Sequence, residues 1–429
     1  MILLYNILYI LLFLFTAPII ISIVVSSQKR RKTVLSRLGL YSHNMRLKKF
    51  NRPLWIHALS VGEVLSAVSL VKKLRNRLKN KHIVFSTTTT TGFEIANRLL
   101  KDDVNAFFFF PHDFLFSVKH VTKYIDPAAV IIVESDIWPN FLFEMKHRNI
   151  PVFLVNARLS RKSFAGYRLI SFFAKPVFSS FTKICAQSEE DARHFRRITK
   201  TYKGITVTGN LKFDQTHEPV SISELESIRR SFNIDPNQKV LIAGSTHKGE
   251  ESLLLNIFTR LRNSFNDLVL VIAPRDPKRS ESVRRLYQSA DFTVKLMTET
   301  IKTPSETGAD VIIIDILGVL KKIYAVADAA FIGGSFTNRG GHNPLEPAAF
   351  SKPVIFGPDM SNFLEISRLL VKSKGAVQVK DEKTFYKAVI LLLGNRKHAE
   401  KTGENAFNVF NSNKGAVQKT LKEINSSPW

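Results

Sequence analysis

Residues Leu54–Leu74 read LWIHALSVGEVLSAVSLVKKL. LWIHAL is an apolar run of strand length, Ser60-Val61-Gly62 is a tight turn, and an amphipathic stretch from Gly62 to Leu78 follows. A buried strand that turns at once into a helix is the repeating unit of a parallel α/β sheet. The pattern continues in both directions. HIVFSTT, VNAFFFF, AAVIIVE, PVFLV and KICAQ are further strand-like runs separated by helical stretches. After Gly209 comes THEPVSISELESIRRSFNIDPNQK, a polar segment with two prolines and a helix-like middle. Alternation resumes at Lys239 with KVLIAGS, DLVLVIAP, DVIIID, AAFIGGS and PVIFG. The expected fold class is therefore α/β, with two Rossmann-like doubly wound domains of similar size. Two such domains facing one another make a cleft, and open α/β sheets bind ligands beyond the carboxyl ends of their strands.

The 429 residues suit two domains plus extras. The boundaries read as 1–27 for an anchor helix, 28–215 and 216–405 for the two domains, and 406–429 for a helical tail. Hydrophobic residues at 45% and charged residues at 23% are the balance of a globular chain, which argues against large disordered regions. The net charge of +26 favours anionic partners. Cys185 is the only cysteine, so no intrachain disulfide forms, and a reducing compartment fits best.

Met1 to Val25 is almost unbroken Leu, Ile, Phe and Val, interrupted by Asn6, Thr16 and Ser22. That length crosses a hydrocarbon core of about 30 Å, and no signal-peptide cleavage pattern is evident. Lys29, Arg30, Arg31 and Lys32 follow, then Arg37, Arg46, Lys48 and Lys49. By the positive-inside rule they place the remaining chain in the cytoplasm, beneath a single-pass N-terminal anchor. The same cluster suits an anionic membrane surface.

Several acids and bases fall at strand ends. Glu63 opens the first helix, where free backbone N–H groups favour a carboxylate. It reads either as a plain helix-start acid or as a general base. Glu134 ends the strand AAVIIV and is assigned function, whereas Asp136 is assigned to capping the next helix. In GNLKFD, Lys212 and Asp214 precede the linker, and the lysine suits an anionic leaving group or a substrate carboxylate. In the second half, AGSTHKGEE offers a small-residue turn at Gly244, Ser245 and Thr246 for phosphate. VIAPRDPKR ends a strand with Pro274 and Arg275, and a guanidinium there pairs with phosphate or stacks on a base. IIIDILGVLKKIY brings Leu317, Gly318 and Val319 to a third turn. FIGGSFTNRGGHNPLEPAAF combines glycine pairs with His342, Asn343, Pro344, Leu345 and Glu346, with Asn343 and Glu346 three apart on one helix face and the glutamate suited to ribose hydroxyls. No metal-ligand spacing is present, so metal-independent chemistry is expected.

HALSVGE (His57 to Glu63), ESDIWPN (Glu134 to Asn140), NARLS (Asn156 to Ser160), GNLKFD (Gly209 to Asp214), APR (Ala273 to Arg275) and GGHNPLEPAAF (Gly340 to Phe350) stand in this order behind an apolar anchor. Over its whole length the chain thereby resembles the 3-deoxy-D-manno-octulosonic acid (Kdo) transferases. The resemblance implies a glycosyltransferase B-type fold and inverting transfer of Kdo from CMP-Kdo to a hydroxyl of the lipid A precursor in lipopolysaccharide synthesis. It implies Glu63 as proton acceptor, with Glu134 and Lys212 stabilising the transition state. CMP would be held by Pro274 and Arg275, by Leu317 to Val319, and by Asn343 through Glu346. CMP-Kdo is then a co-substrate, with no cofactor, no nucleic acid and no obligatory protein partner, and the enzyme sits on the cytoplasmic face of the inner membrane. The family usually has Gly-Glu-Leu at the third turn, where this chain has Gly318-Val319-Leu320. The change is harmless if that turn binds through its main chain.

Two rivals remain at this level. A transferase joining the two glucosamines of lipid A would use a uridine donor, and HALSVGE and ESDIWPN argue against it. A non-catalytic basic protein binding phospholipid or nucleic acid satisfies the charge, yet leaves the glycine pairs and strand-end acids without a purpose.

Overall fold

Fourteen short runs, apolar and mostly β-branched or aromatic, form the strands of a computed structural model that describes residues 2–26, 28–39, 50–134, 136–200, 202–214, 220–302 and 308–429. The chain forms two units: Met1–Thr216 together with Lys414–Trp429, and His217–Asn413.

The first unit holds β1 (Leu54–His57), β2 (Ile83–Thr87), β3 (Ala106–Phe109), β4 (Ala129–Val133), β5 (Val152–Ala157), β6 (Lys183–Ala186) and β7 (Ile205–Val207). They pair in the order β3-β2-β1-β4-β5-β6-β7, and every pairing is parallel. The second unit holds β8 (Val240–Thr246), β9 (Val269–Pro274), β10 (Val294–Leu296), β11 (Val311–Ile313), β12 (Ala329–Ile332), β13 (Val354–Phe356) and β14 (Ala376–Gln378). Their order is β10-β11-β9-β8-β12-β13-β14, again all parallel. Strand order therefore reverses between β1 and β4 in one sheet and between β8 and β12 in the other. Ligands of doubly wound sheets bind at such switch points. β7, β10 and β14, three-residue strands at sheet edges, are absent from the strands read in the sequence.

Both faces of each sheet are covered. In the first unit, Trp55, Phe108, Phe110, Phe141, Phe153, Phe178, Phe181 and Phe195 are fully buried. Aromatic side chains bury the largest areas and so dominate the packing energy. The helix Val61–Arg77 turns Val64, Ala67, Leu70, Val71 and Leu74 onto the sheet, which fixes its N-terminus at the end of β1.

The boundary read between residues 215 and 216 falls outside the described residues. The tail read as 406–429 divides differently. Residues 406–412 complete the helix Arg396–Ser412, which belongs to the second unit. The helix Ala416–Asn425 belongs to the first, burying Ala416, Val417, Leu421 and Ile424 in its core. Asp214 starts that helix by accepting the backbone N–H groups of Gly415 and Val417, both at 2.6 Å.

The N-terminal helix, Ile2–Val25, is about 36 Å long at 1.5 Å per residue. Its Ile2–Ile19 window has a mean hydropathy of 2.2 and none of it is buried, so it is long and apolar enough to cross a membrane. Two of its polar interruptions have partners. Asn6 and Asn140 exchange two amide hydrogen bonds of 3.0 and 2.7 Å, and Thr16 bonds back to the Leu12 carbonyl. Tyr5 donates to Asp113, and Tyr9 and Phe13 pack on Phe114. The first turns of the anchor thus rest on the first unit. Arg46, Lys48 and Lys49 of the basic cluster lie outside the described residues.

Candidate active site

The first unit gathers its acids at the switch point. Glu63 enters one turn after β1, in the first turn of the helix Val61–Arg77, and its carboxylate accepts the backbone N–H of Leu59. A helix N-terminus alone would lower its proton affinity. The opposite holds here: the pKa is pushed up to about 8, mainly by burial, with Glu134 and Asp136 adding negative charge, against the Leu59 and Ser60 hydrogen bonds. A carboxylate that titrates near neutrality is suited to accept a proton from a substrate hydroxyl.

Glu134 directly follows β4 with a left-handed backbone, φ 64°. Side-chain residues hold that conformation only where their surroundings enforce it, and such strain gathers at functional positions. Asn156, at φ 54°, shares the feature. Its amide nitrogen lies 3.5 Å from Glu134 and its oxygen accepts the Leu211 N–H at 2.9 Å. Gln187 donates to the Asn156 carbonyl and accepts from Asn210, whose oxygen receives the Lys212 N–H. This relay through β5, β6 and the 3-10 turn Leu211–Asp214 brings the Lys212 ammonium to 3.9 Å from Glu134. Glu63, Glu134 and Lys212 thus meet at one sheet end.

Asp136 does not cap the following helix. That helix, Pro139–His147, takes its cap from Asp113, which accepts the N–H groups of Asn140 and Phe141 at 3.0 Å each. Asp136 instead bonds Nε2 of the buried His57 at 2.8 Å.

The second unit forms a cavity of about 200 Å³ at the ends of β8, β9 and β11. Ser245, Pro274, Arg275, Leu317, Gly318 and Glu346 line it, as read from the sequence, joined by Ala273, Ile314, Ile316, Leu320 and Lys321. Apolar walls with one guanidinium, one ammonium and one carboxylate suit a flat base with an attached sugar and phosphate. Gly318 has φ 94° and nothing within 4 Å of where a Cβ would stand, so its main chain is open to a ligand. Val319 does not line the cavity. Burial holds the Glu346 carboxyl above the usual range, opposed by Lys321, Asn343 and Arg275.

Two readings in this unit need correction. Thr246 is fully buried, and its hydroxyl donates to Glu251 at 2.9 Å, so it braces the turn and does not face a phosphate. The helix carrying Glu346 has only four residues, Leu345–Ala348. Asn343 lies before it and caps it through the Leu345 N–H, still placing its amide 3.5 Å from Glu346.

Glu250 organises the rest. Its buried carboxylate accepts four backbone N–H groups, those of His247, Gly334, Ser335 and Phe336, at 2.8 to 3.0 Å. That clamp presses the turn after β12 against the turn after β8 so closely that a Cβ on Gly333 would meet the Ser245 carbonyl at 2.4 Å. His342 and His247 then meet through their Nε2 atoms at 2.9 Å. One ring must donate and the other accept, so at least one of the two is neutral. Burial first, then the Arg275 charge, pushes the His342 pKa down to about 4.

Residues 32–215 match the family described as 3-deoxy-D-manno-octulosonic-acid transferase (kdotransferase). Over 418 residues the chain is 32% identical to the 3-deoxy-D-manno-octulosonic acid transferase of Haemophilus influenzae, covering 96% of each. The chain belongs to the Kdo transferase family. It is accordingly a glycosyltransferase. Among solved structures, the transferase resembles the UDP-GlcNAc 2-epimerase of Neisseria meningitidis bound to UDP-GlcNAc, with TM-score 0.59 and 13% identity over 88% of this chain and 100% of that one. It also resembles MurG of Acinetobacter baumannii, with TM-score 0.54 and 15% identity over the same shares. At such identities these neighbours speak to the fold, the two-sheet B-type architecture of glycosyltransferases.

Sequence reasoning about this Kdo transferase missed Asn156, Glu250 and Lys321. Asn156 stood in a quoted motif without a role, and its left-handed backbone is invisible in sequence. Glu250 had a signal, an acid at a helix start just after a glycine turn, but three of its four donors lie on the distant turn after β12.

Proposed function

We propose that the transferase moves Kdo from CMP-Kdo to a hydroxyl of a lipid A precursor with inversion at the anomeric carbon. Glu63 takes the hydroxyl proton as the acceptor oxygen bonds to the anomeric carbon. The bond from that carbon to the CMP phosphate breaks, and CMP leaves with the electron pair. Lys212 and Glu134 stabilise the charge that develops at the sugar, and Arg275 neutralises the departing phosphate. CMP occupies the cavity of the second unit, its base against the Leu317–Gly318 main chain and its ribose near Glu346. The similarity to named Kdo transferases over nearly the full chain supports the donor and the acceptor class. The transfer is expected to use no divalent ion. The N-terminal helix holds the enzyme in the bacterial inner membrane, with both units on the cytoplasmic side.

The observation that carries this reading is the proton affinity of Glu63 at the switch point of the first sheet. A base that titrates near 8 gives a rate rising about tenfold per pH unit up to that value, and base catalysis supplies roughly 10² to 10⁴ in rate. Glu63→Ala should keep CMP affinity and lose transfer by at least that order. Transfer at the parent rate in a folded Glu63→Ala protein would remove the base assignment.

A further inference from the structure

The ESDIWPN turn carries a buried carboxylate–imidazole pair that the proposed chemistry leaves unused. His57 ends β1 with its ring wholly buried and stacked on Phe110 at 4.0 Å. Its Nδ1 faces the hydroxyl and carbonyl of Ser86 at 2.9 and 3.1 Å, and the Trp55 indole donates to the same hydroxyl at 2.7 Å. Its Nε2 donates to Asp136. Four buried side chains, His57 and Trp55 from β1, Ser86 from β2 and Phe110 just after β3, thus hold in place one carboxylate of the turn after β4.

Burying an imidazole and a carboxylate is costly, and a well-packed apolar pair of similar volume is commonly as stable. Helix capping does not account for Asp136, because Asp113 performs it. Asp136 sits two residues after Glu134, and its charge is felt at Glu63. We infer that Asp136, clamped by His57, is a positioning residue for transfer: it fixes the turn that carries Glu134 and supplies a standing negative charge beside Glu63. This rests on Glu63 being the base. The charged groups facing Glu63 are Glu134 and Asp136 from the turn after β4, with Lys212 beside Glu134. The neighbouring helices Thr90–Leu100 and Ala416–Asn425 carry Glu94, Arg98, Lys419 and Lys422, all exposed to solvent, and Glu423, which pairs with Lys183.

Like charge favours the protonated form of a neighbouring acid, and at Glu63 Asp136 does so less than burial and Glu134 do. With a neutral imidazole, whose Nδ1 accepts from the Ser86 hydroxyl while Nε2 donates to Asp136, removing the carboxylate makes the site one charge more positive. In Asp136→Asn the acid limb of the kcat/KM profile should therefore move to lower pH, by about one unit or less. The plateau above the limb should fall several-fold because Glu63 becomes a weaker base. CMP affinity on the second unit should not change. His57→Gln keeps an N–H donor and the Asp136 charge, so kcat should fall while the limb does not move down.

The test measures pH profiles of the full-length, detergent-solubilised enzyme, with Glu63→Gln made first. Transfer by Glu63→Gln at the parent rate removes the base itself. An inactive Glu63→Gln with an unmoved limb in Asp136→Asn leaves the base and overturns this inference, as does a downward limb in His57→Gln. If Asp136→Asn fails to fold, Asp136→Glu takes its place: the charge stays but the grip on His57 is lost, so kcat should fall with the limb held. Full kcat in Asp136→Glu overturns the clamp.

Discussion

Replacing Glu63 with glutamine should make the transferase more stable at alkaline pH while abolishing transfer. In the unfolded chain this carboxyl releases its proton near 4.5, whereas in the folded unit it holds it to about 8. Between those values the folded state binds the extra proton, so the stability it contributes is complete below about pH 4.5 and is lost as pH rises towards 8. At about 1.4 kcal/mol per pH unit the full interval is worth at most about 5 kcal/mol. Solvent reaching the partly exposed carboxyl reduces this to roughly 2 to 3 kcal/mol. Glutamine stays neutral at every pH, fills the same space, and keeps an oxygen for the Leu59 N–H. Thermal melting of both proteins in detergent at pH 5 and pH 8 reads the difference. At pH 5 the two should melt together, and at pH 8 the variant should melt higher by about 4 to 12 °C for a unit of this size. A variant that melts lower at pH 8, or by the same offset at both pH values, would refute the account of a strained, proton-hungry base.

The other expectations follow from single contacts. Arg275→Ala removes the guanidinium of the second-unit cavity, and CMP affinity by calorimetry should weaken about 10- to 100-fold, the cost of one charge-assisted contact. Asn156→Ala strands the buried Leu211 N–H and releases Glu134. The first unit should lose about 1 to 3 kcal/mol in urea denaturation, and kcat should fall while CMP affinity holds. Val319→Glu, which restores the residue usual in the family, should change CMP affinity less than about threefold, because the cavity wall there is the Gly318 main chain; a larger gain would assign a role to that side chain.

Much of the fold was legible because parallel strands buried on both faces read as continuous apolar runs. LWIHAL, AAVIIV and KVLIAG each became a central strand. β7, β10 and β14 were not legible, since three residues at a sheet edge carry no pattern. The acids and glycine turns announced themselves by standing at strand ends. What sequence could not give was which acid did which task. Asp136 had the spacing of a helix cap, yet Asp113, earlier in the chain by a whole strand and helix, holds that position. Thr246 lay in a turn of small residues, yet the next residue's alternation sends it into the core towards Glu251. The raised proton affinity of Glu63 likewise depends on burial and on Glu134 and Asp136, which only the tertiary fold brings near it.

The central claim is tested most directly by incubating the purified, detergent-solubilised protein with CMP-Kdo and a tetraacylated lipid A precursor in the presence of EDTA and weighing the product by mass spectrometry. The account predicts a mass gain of one or more Kdo units, with CMP released in equal number and no dependence on divalent ions. A folded protein that leaves the lipid mass unchanged, but modifies it when a uridine nucleotide sugar is supplied, would contradict it.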